Sequence, residues 1–259
     1  MNDDHIALLN RKCDLSWSRD QWTMVFFLVS KGEHDNEDPD KTFLTKDGTS
    51  VFLYCDALEY DWKQRGCTTS LLGHTTHNDG KAEWGDAYQL FKKFHKLGGP
   101  DLSKDATECA SSKAAAARFA KRITSMTGKD AGRYTLAEIK VLASKKSYLR
   151  HAVQAWRDLG IDHPRPLGVA AVFDAALNQG LGGKWDPCKH LLQVGAKGDE
   201  DASLKEFNVW RRVAATKNHH NDPPVNGENR SDMFEDLRKK GAWDLPQEAC
   251  RKVVTWRMR

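Results

Sequence analysis

Residues Leu167 to Gln179 constrain the fold more than any other stretch of the chain. Val169, Ala170, Ala171, Val172, Phe173, Ala175, Ala176 and Leu177 leave no polar face at a helical period, and Pro164 and Pro166 introduce the run. A helix that is apolar nearly all round is buried, so the rest of its domain must pack around it. Its one charge, Asp174, cannot be left unpaired inside a core. Two later basic sites offer partners. Arg211 and Arg212 lie on the helix read from Leu204 to Thr216, and Arg230 stands just before a helix read from Asp232 to Lys240.

Other helices follow from local signals. Ser18 and Gln21 have capping-box spacing, and Trp22, Val25, Phe26 and Val29 then recur at i, i+3, i+4 and i+7. Lys31 and Gly32 give a stop signal, which leaves Glu33 just past a helix C-terminus, where the dipole opposes ionisation. Helices are also read over Asp86–Leu97, Ala110–Met126, Leu136–Ser144, Tyr148–Leu159 and Glu248–Arg257. Residues 34–50 read as a loop. Val51–Cys55 is a short apolar run of either type, and Ser70–Gly73 a short strand or turn. The stretch Lys217–Glu228, with Pro223-Pro224 and Asn226-Gly227, reads as a connector. Trp22 and Trp156 take core positions, while Trp62 and Trp84, in polar surroundings, are the better candidates for a binding cleft.

Charge is unevenly distributed. The chain of 259 residues carries a formal +4, yet Glu33 to Asp61 holds nine carboxylates against Lys41 and Lys46, a net −7. The remainder is therefore about +11 by difference. An acidic band on a basic protein suits a cationic ligand or chemistry done by paired carboxylates. Composition is ordinary globular, with 39% hydrophobic and 29% charged residues, which argues against wholesale disorder. No run approaches the roughly 18 apolar residues of a membrane span. The basic, alanine-rich helix brings no nucleic-acid recognition motif with it.

Six cysteines, Cys13, Cys55, Cys67, Cys109, Cys188 and Cys250, allow up to three disulfides and contain no C-x-x-C pair, so a zinc ribbon is not expected. His74, His77, His219 and His220 lie in polar loops and read as exposed side chains rather than metal ligands. No signal peptide is visible, since Asn2-Asp3-Asp4 follows Met1 where a basic region should be. The protein is nonetheless expected to be secreted and monomeric.

Four motifs together carry a family resemblance. Gln21-Trp22 precedes Glu33 by a fixed interval. Tyr54-Cys55 is followed by acids and then Arg65-Gly66-x-Thr68-x-x-x-Leu72-Gly73. Phe173-Asp174-Ala175-Ala176-Leu177-Asn178-Gln179-Gly180 and Pro223-Pro224-x-Asn226-Gly227-x-Asn229-Arg230 come later. The chain resembles the glycoside hydrolase family 46 chitosanases, specifically the Bacillus-type branch, over most of its length and least from about 98 to 147.

The resemblance implies a mainly α, lysozyme-like, two-lobed α+β fold with a cleft between lobes and a small antiparallel sheet in the minor lobe. The lobes would be about 33–97 (minor) and 1–32 plus about 98–259 (major), within one catalytic domain. It also implies endo-hydrolysis of β-1,4 bonds in chitosan with inversion, and no metal or organic cofactor. The substrate would be chitosan or chito-oligosaccharides, with no nucleic-acid or membrane partner. Glu33 would be the general acid and a carboxylate before Arg65 the base. Thr68 would hold the attacking water, Arg65 would orient the base, and Asp86 and Tyr54 would bind substrate. Asp174, Arg211 and Arg230 would form a charge network behind the cleft.

The chain departs from that family in several places. The base is usually two residues before the arginine, but Lys63 stands there. Asp61, four before Arg65, is the assigned base, with Glu59 as the alternative. Glu37-Asp38 fits the usual dipeptide at the acid better than Glu33-His34 does, so Glu37 is the alternative acid; the register from Trp22 favours Glu33. About nine extra residues separate Glu33 from Tyr54, and Cys67 replaces a tyrosine. A lysozyme-like peptidoglycan hydrolase and a weakly active or non-catalytic chitosan-binding homologue are the competing functions.

Overall fold

A computed structural model describes residues 3–33, 139, 143, 145, 147–217 and 224–257. Helix accounts for 73% of the interpretable residues, so the protein is mainly α as expected. Among the described residues the only bridge pairing two of them is an isolated one between Ala196 and Asp199. The sheet expected in the minor lobe falls on residues outside the described ones. The chain divides into two compact units, Met1–Lys12 with Glu37–Ser147, and Cys13–Asn36 with Tyr148–Arg259.

In the first unit the described helix is α1 (Asp3–Cys13), whose last residue crosses into the second unit. It was not read from the sequence. Asp3 and Asp4 in its first turn and Arg11 and Lys12 in its last complement the helix dipole.

The second unit contains α2 (Arg19–Glu33), α3 (Tyr148–Asp158), α4 (Pro166–Gln179), α5 (Pro187–Val194), α6 (Glu200–Lys217), α7 (Pro224–Lys239) and α8 (Gln247–Arg257). Helix α4 is the hub and packs against α2, α3, α5, α6 and α7. Every residue from Pro166 to Leu177 is buried. Full burial of each large apolar side chain there contributes roughly 1.5–3 kcal/mol. Trp22 and Trp156 are completely buried, as expected of core positions.

Helix starts follow the capping logic. The Gln21 amide N–H donates to Ser18 Oγ at 3.2 Å, and the Ser18 N–H donates to Gln21 Oε1 at 2.8 Å, a reciprocal capping box. Helix α5, which the sequence reading missed, has Asp186 as its cap, accepting from the Cys188 and Lys189 amides, and Pro187 follows in its first turn.

Two readings need correction at helix ends. Glu33 is the last residue of α2 rather than the first beyond it. Helix α7 begins at Pro224, so Asn226, Gly227 and Arg230 are helical and the connector is shorter than read. Proline is tolerated in a first turn because its missing N–H would have had no partner there.

The cysteines also depart from expectation. Cys13, Cys188 and Cys250 are free thiols, which excludes a framework pairing all six. Burial pushes the Cys13 and Cys250 thiols up to about 12. Burial of this kind disfavours the reactive thiolate.

Candidate active-site scaffold

The sequence-assigned residues divide between what the structure describes and what it does not. Asp61, Glu59, Glu37, Thr68, Arg65, Asp86 and Tyr54 lie outside the described residues, as do Trp62 and Trp84. Glu33 ends α2. Asp174, Arg211 and Arg230 are brought together in the core.

Asp174 is fully buried on α4, Arg211 on α6 is 1% exposed, and Arg230 on α7 is 3% exposed. Arg230 takes the carboxylate through two nitrogens, Nη2 to Oδ1 at 2.9 Å and Nε to Oδ2 at 3.2 Å. Arg211 Nη2 donates to Oδ2 as well, and its Nη1 reaches the Ala171 carbonyl at 3.3 Å. The Arg211 guanidinium also stands 5.4 Å from the centre of the Phe234 ring. Both carboxylate oxygens are thus satisfied by charge-assisted bonds, as burial of such a group requires. The triad ties α4, α6 and α7 into one body, and α2 packs on the same α4.

A second set of contacts fixes the opposite ends of these helices. Arg165, the residue capping α4, lends its N-terminus no side-chain bond. Glu200, from the first turn of α6, supplies it instead. Its Oε1 accepts the Arg165 amide at 2.8 Å and its Oε2 accepts Arg165 Nε at 2.6 Å. A carboxylate at a helix N-terminus is favoured by the dipole. The Arg165 guanidinium lies 3.6 Å from the centre of the Trp243 ring. The Trp243 carbonyl accepts the Leu167 amide at 3.1 Å, and neighbouring Asp244 accepts Gln21 Nε2 at 3.0 Å. The first turns of α2 and α4 are therefore anchored to adjacent residues. Sequence reading missed Glu200 and Arg165, whose pairing spans 35 positions and carries no local signal.

Among the described residues no group of histidine, cysteine and acidic side chains could hold a metal ion. No helix among them is long and apolar enough to cross a membrane.

No protein-family model matches the chain. A helical core around a buried, doubly paired carboxylate is a scaffold that several hydrolase classes could share. A comparison with characterised proteins is more specific: the chain is 27% identical over 263 residues to a chitosanase of Niallia circulans, an alignment covering 93% of this chain and 78% of that protein. The chain is related to the chitosanases, as the four motifs implied.

Proposed function

We propose that this protein is an endo-acting chitosanase that cleaves β-1,4 bonds between glucosamine units with inversion. The observation that carries the reading is the similarity to a chitosanase, which extends over 93% of the chain. The net −7 of residues 33–61 supports it, because glucosamine units are cationic near and below neutral pH and are drawn to negative charge. Neutral sugars gain nothing from that field.

In this mechanism Glu33 protonates the leaving oxygen while Asp61, or Glu59 in its place, removes a proton from water on the opposite face of the sugar. Inversion requires the two carboxyl groups to stand about 6.5–9.5 Å apart, leaving room for that water. Thr68 holds the water, Arg65 orients the base, and Asp86 and Tyr54 contact the substrate. The buried triad of Asp174, Arg211 and Arg230 supports this site from behind by holding α4, on which the helix ending in Glu33 packs. A two-lobed, lysozyme-like arrangement with a small sheet and a secreted, monomeric state belong to the same reading. The chemistry needs only the carboxylates and water.

The test is release of reducing ends from chitosan, chitin and bacterial cell wall by the purified chain. Cleavage of chitosan alone is expected. Cleavage of cell wall instead would replace this reading with a lysozyme-like one, and binding to chitosan without cleavage would make the protein a polysaccharide binder.

A further inference from the structure

Helices α2 and α4 pack together, and their first turns are tied to neighbouring residues: Gln21 to Asp244, and Leu167 to Trp243. The two helices therefore run in the same direction from a common anchor. Glu33 lies 12 positions beyond Gln21, and Gln179 lies 12 positions beyond Leu167. At 1.5 Å per residue both ends are about 18 Å from the anchor. The C-terminus of α4 thus emerges at the same end of the pair as the last residue of α2, which is Glu33.

What emerges there is a built loop. Gly180, at φ 76, turns the chain out of α4, and Gly182 follows at φ 90. Both angles fall in the left-handed region that glycine adopts without strain. Asp186 is buried and pins the loop from its far side, its Oδ2 accepting the Gly182 amide at 2.8 Å and its Oδ1 accepting the Cys188 and Lys189 amides. Between these fixed points stands Trp185, a half-buried indole. Its partner is the exposed Lys184, whose Nζ lies 5.1 Å from the ring centre. At the root of the loop the side-chain oxygen of Gln179 is buried with no hydrogen-bond partner. An orphaned acceptor and a partly exposed indole with an exposed ammonium over it are what a polar ligand with an apolar face would complete.

We propose that Trp185 is a sugar-stacking residue of the substrate site, its indole receiving the apolar face of a pyranose ring once the Lys184 ammonium swings away. The proposal rests on the chitosanase reading and adds a binding contact that neither the motifs nor the charge pattern points to. In a β-1,4 glucosamine chain the ring substituents are equatorial, so each sugar offers a C–H face to an aromatic plane. Lys184 is the side chain that has to move. An exposed cation over an aromatic ring is held weakly, so its displacement costs little.

The test uses the full chain with glucosamine hexasaccharide and steady-state kinetics on wild type, W185A, W185F and K184A. W185A is expected to raise KM about tenfold and to leave kcat within about twofold. W185F should restore most of the affinity, and K184A should leave KM at or below the wild-type value. An unchanged KM in W185A, or a raised KM in K184A, overturns the assignment of Trp185 while leaving the function standing. A KM raised equally in W185A and W185F also overturns it, since loss of shape alone would then explain the effect. An inactive wild type overturns the chitosanase reading, and the Trp185 proposal with it.

Discussion

Arg230 grips both carboxylate oxygens of Asp174 at 2.9 and 3.2 Å, from a helix that lies 56 residues further along the chain. The carboxylate is fully buried, so its removal would take a charge-assisted bond from each of two buried guanidiniums. Breaking a buried pair by deleting one partner costs about 3–5 kcal/mol. Asp174→Asn should therefore lower the thermal midpoint by on the order of 10 °C. A double-mutant cycle with Arg211→Met should be strongly non-additive, because both changes act on the same buried ion pair. Chemical denaturation of the two single variants and the double variant measures the coupling directly.

A second prediction concerns Gly168, in the first half of the hub helix. A Cβ built there would stand 2.8 Å from Glu200 Oε1 and 3.0 Å from the Trp156 ring. The ring is completely buried, and the carboxylate is held by two bonds from Arg165. Neither can yield without losing packing or the cap on α4. Gly168→Ala, which by helix propensity alone should stabilise by about 1 kcal/mol, is expected to destabilise by about 1–3 kcal/mol instead. A denaturation midpoint above wild type would refute the close approach.

Glu235 makes stability depend on pH. Burial pushes its carboxyl up, but hydrogen bonds from Arg238 and Asn208 outweigh this and hold it below its ordinary 4.5. Arg238 binds it through Nε at 2.8 Å and Nη2 at 2.9 Å. Because the folded value lies below the unfolded one, the stabilisation is complete above the ordinary carboxylate range. It disappears as pH falls through the folded value. Glu235→Gln should therefore be less stable than wild type at about pH 6, and the gap should narrow as pH falls below the ordinary carboxylate value. Urea denaturation above and below that value checks the sign, and a gap that widens in acid would contradict it.

The scaffold was more legible in sequence than the contacts that align it. Local chemistry announces the α2 start, because Ser18 and Gln21 satisfy each other's amides within one turn. It also announces the need for a partner at Asp174, since an apolar helix admits no unpaired charge. The errors come from residues whose local preference has two outcomes. Pro224 and Asn226-Gly227 are turn formers, yet a proline also opens a helix, and α7 starts there. Gly32 reads as a stop, but α2 continues through Glu33. Asp186-Pro187 held a readable cap and first-turn signal for α5 that went unused. Glu200 with Arg165, and Gln21 with Asp244, left no trace because such pairs depend on tertiary position alone. One such pair, Gln21 with Asp244, sets the start of α2 beside the residue that holds the start of α4.

Glu33 is the residue on which the proposed chemistry turns. It closes α2, and in the proposed mechanism it is the general acid. A carboxyl kept protonated can donate to the leaving oxygen, and general-acid catalysis contributes about 10²–10⁴-fold. Glu33→Gln keeps the shape but has no proton to give. It should therefore lower kcat on chitosan by at least about 100-fold while KM stays near the wild-type value. Glu37→Gln, Glu59→Gln and Asp61→Asn, assayed alongside, identify the partner: the base variant should match the loss in Glu33→Gln, and the others should retain activity. Full activity in Glu33→Gln with loss in Glu37→Gln would move the acid four residues along the chain, away from the end of α2.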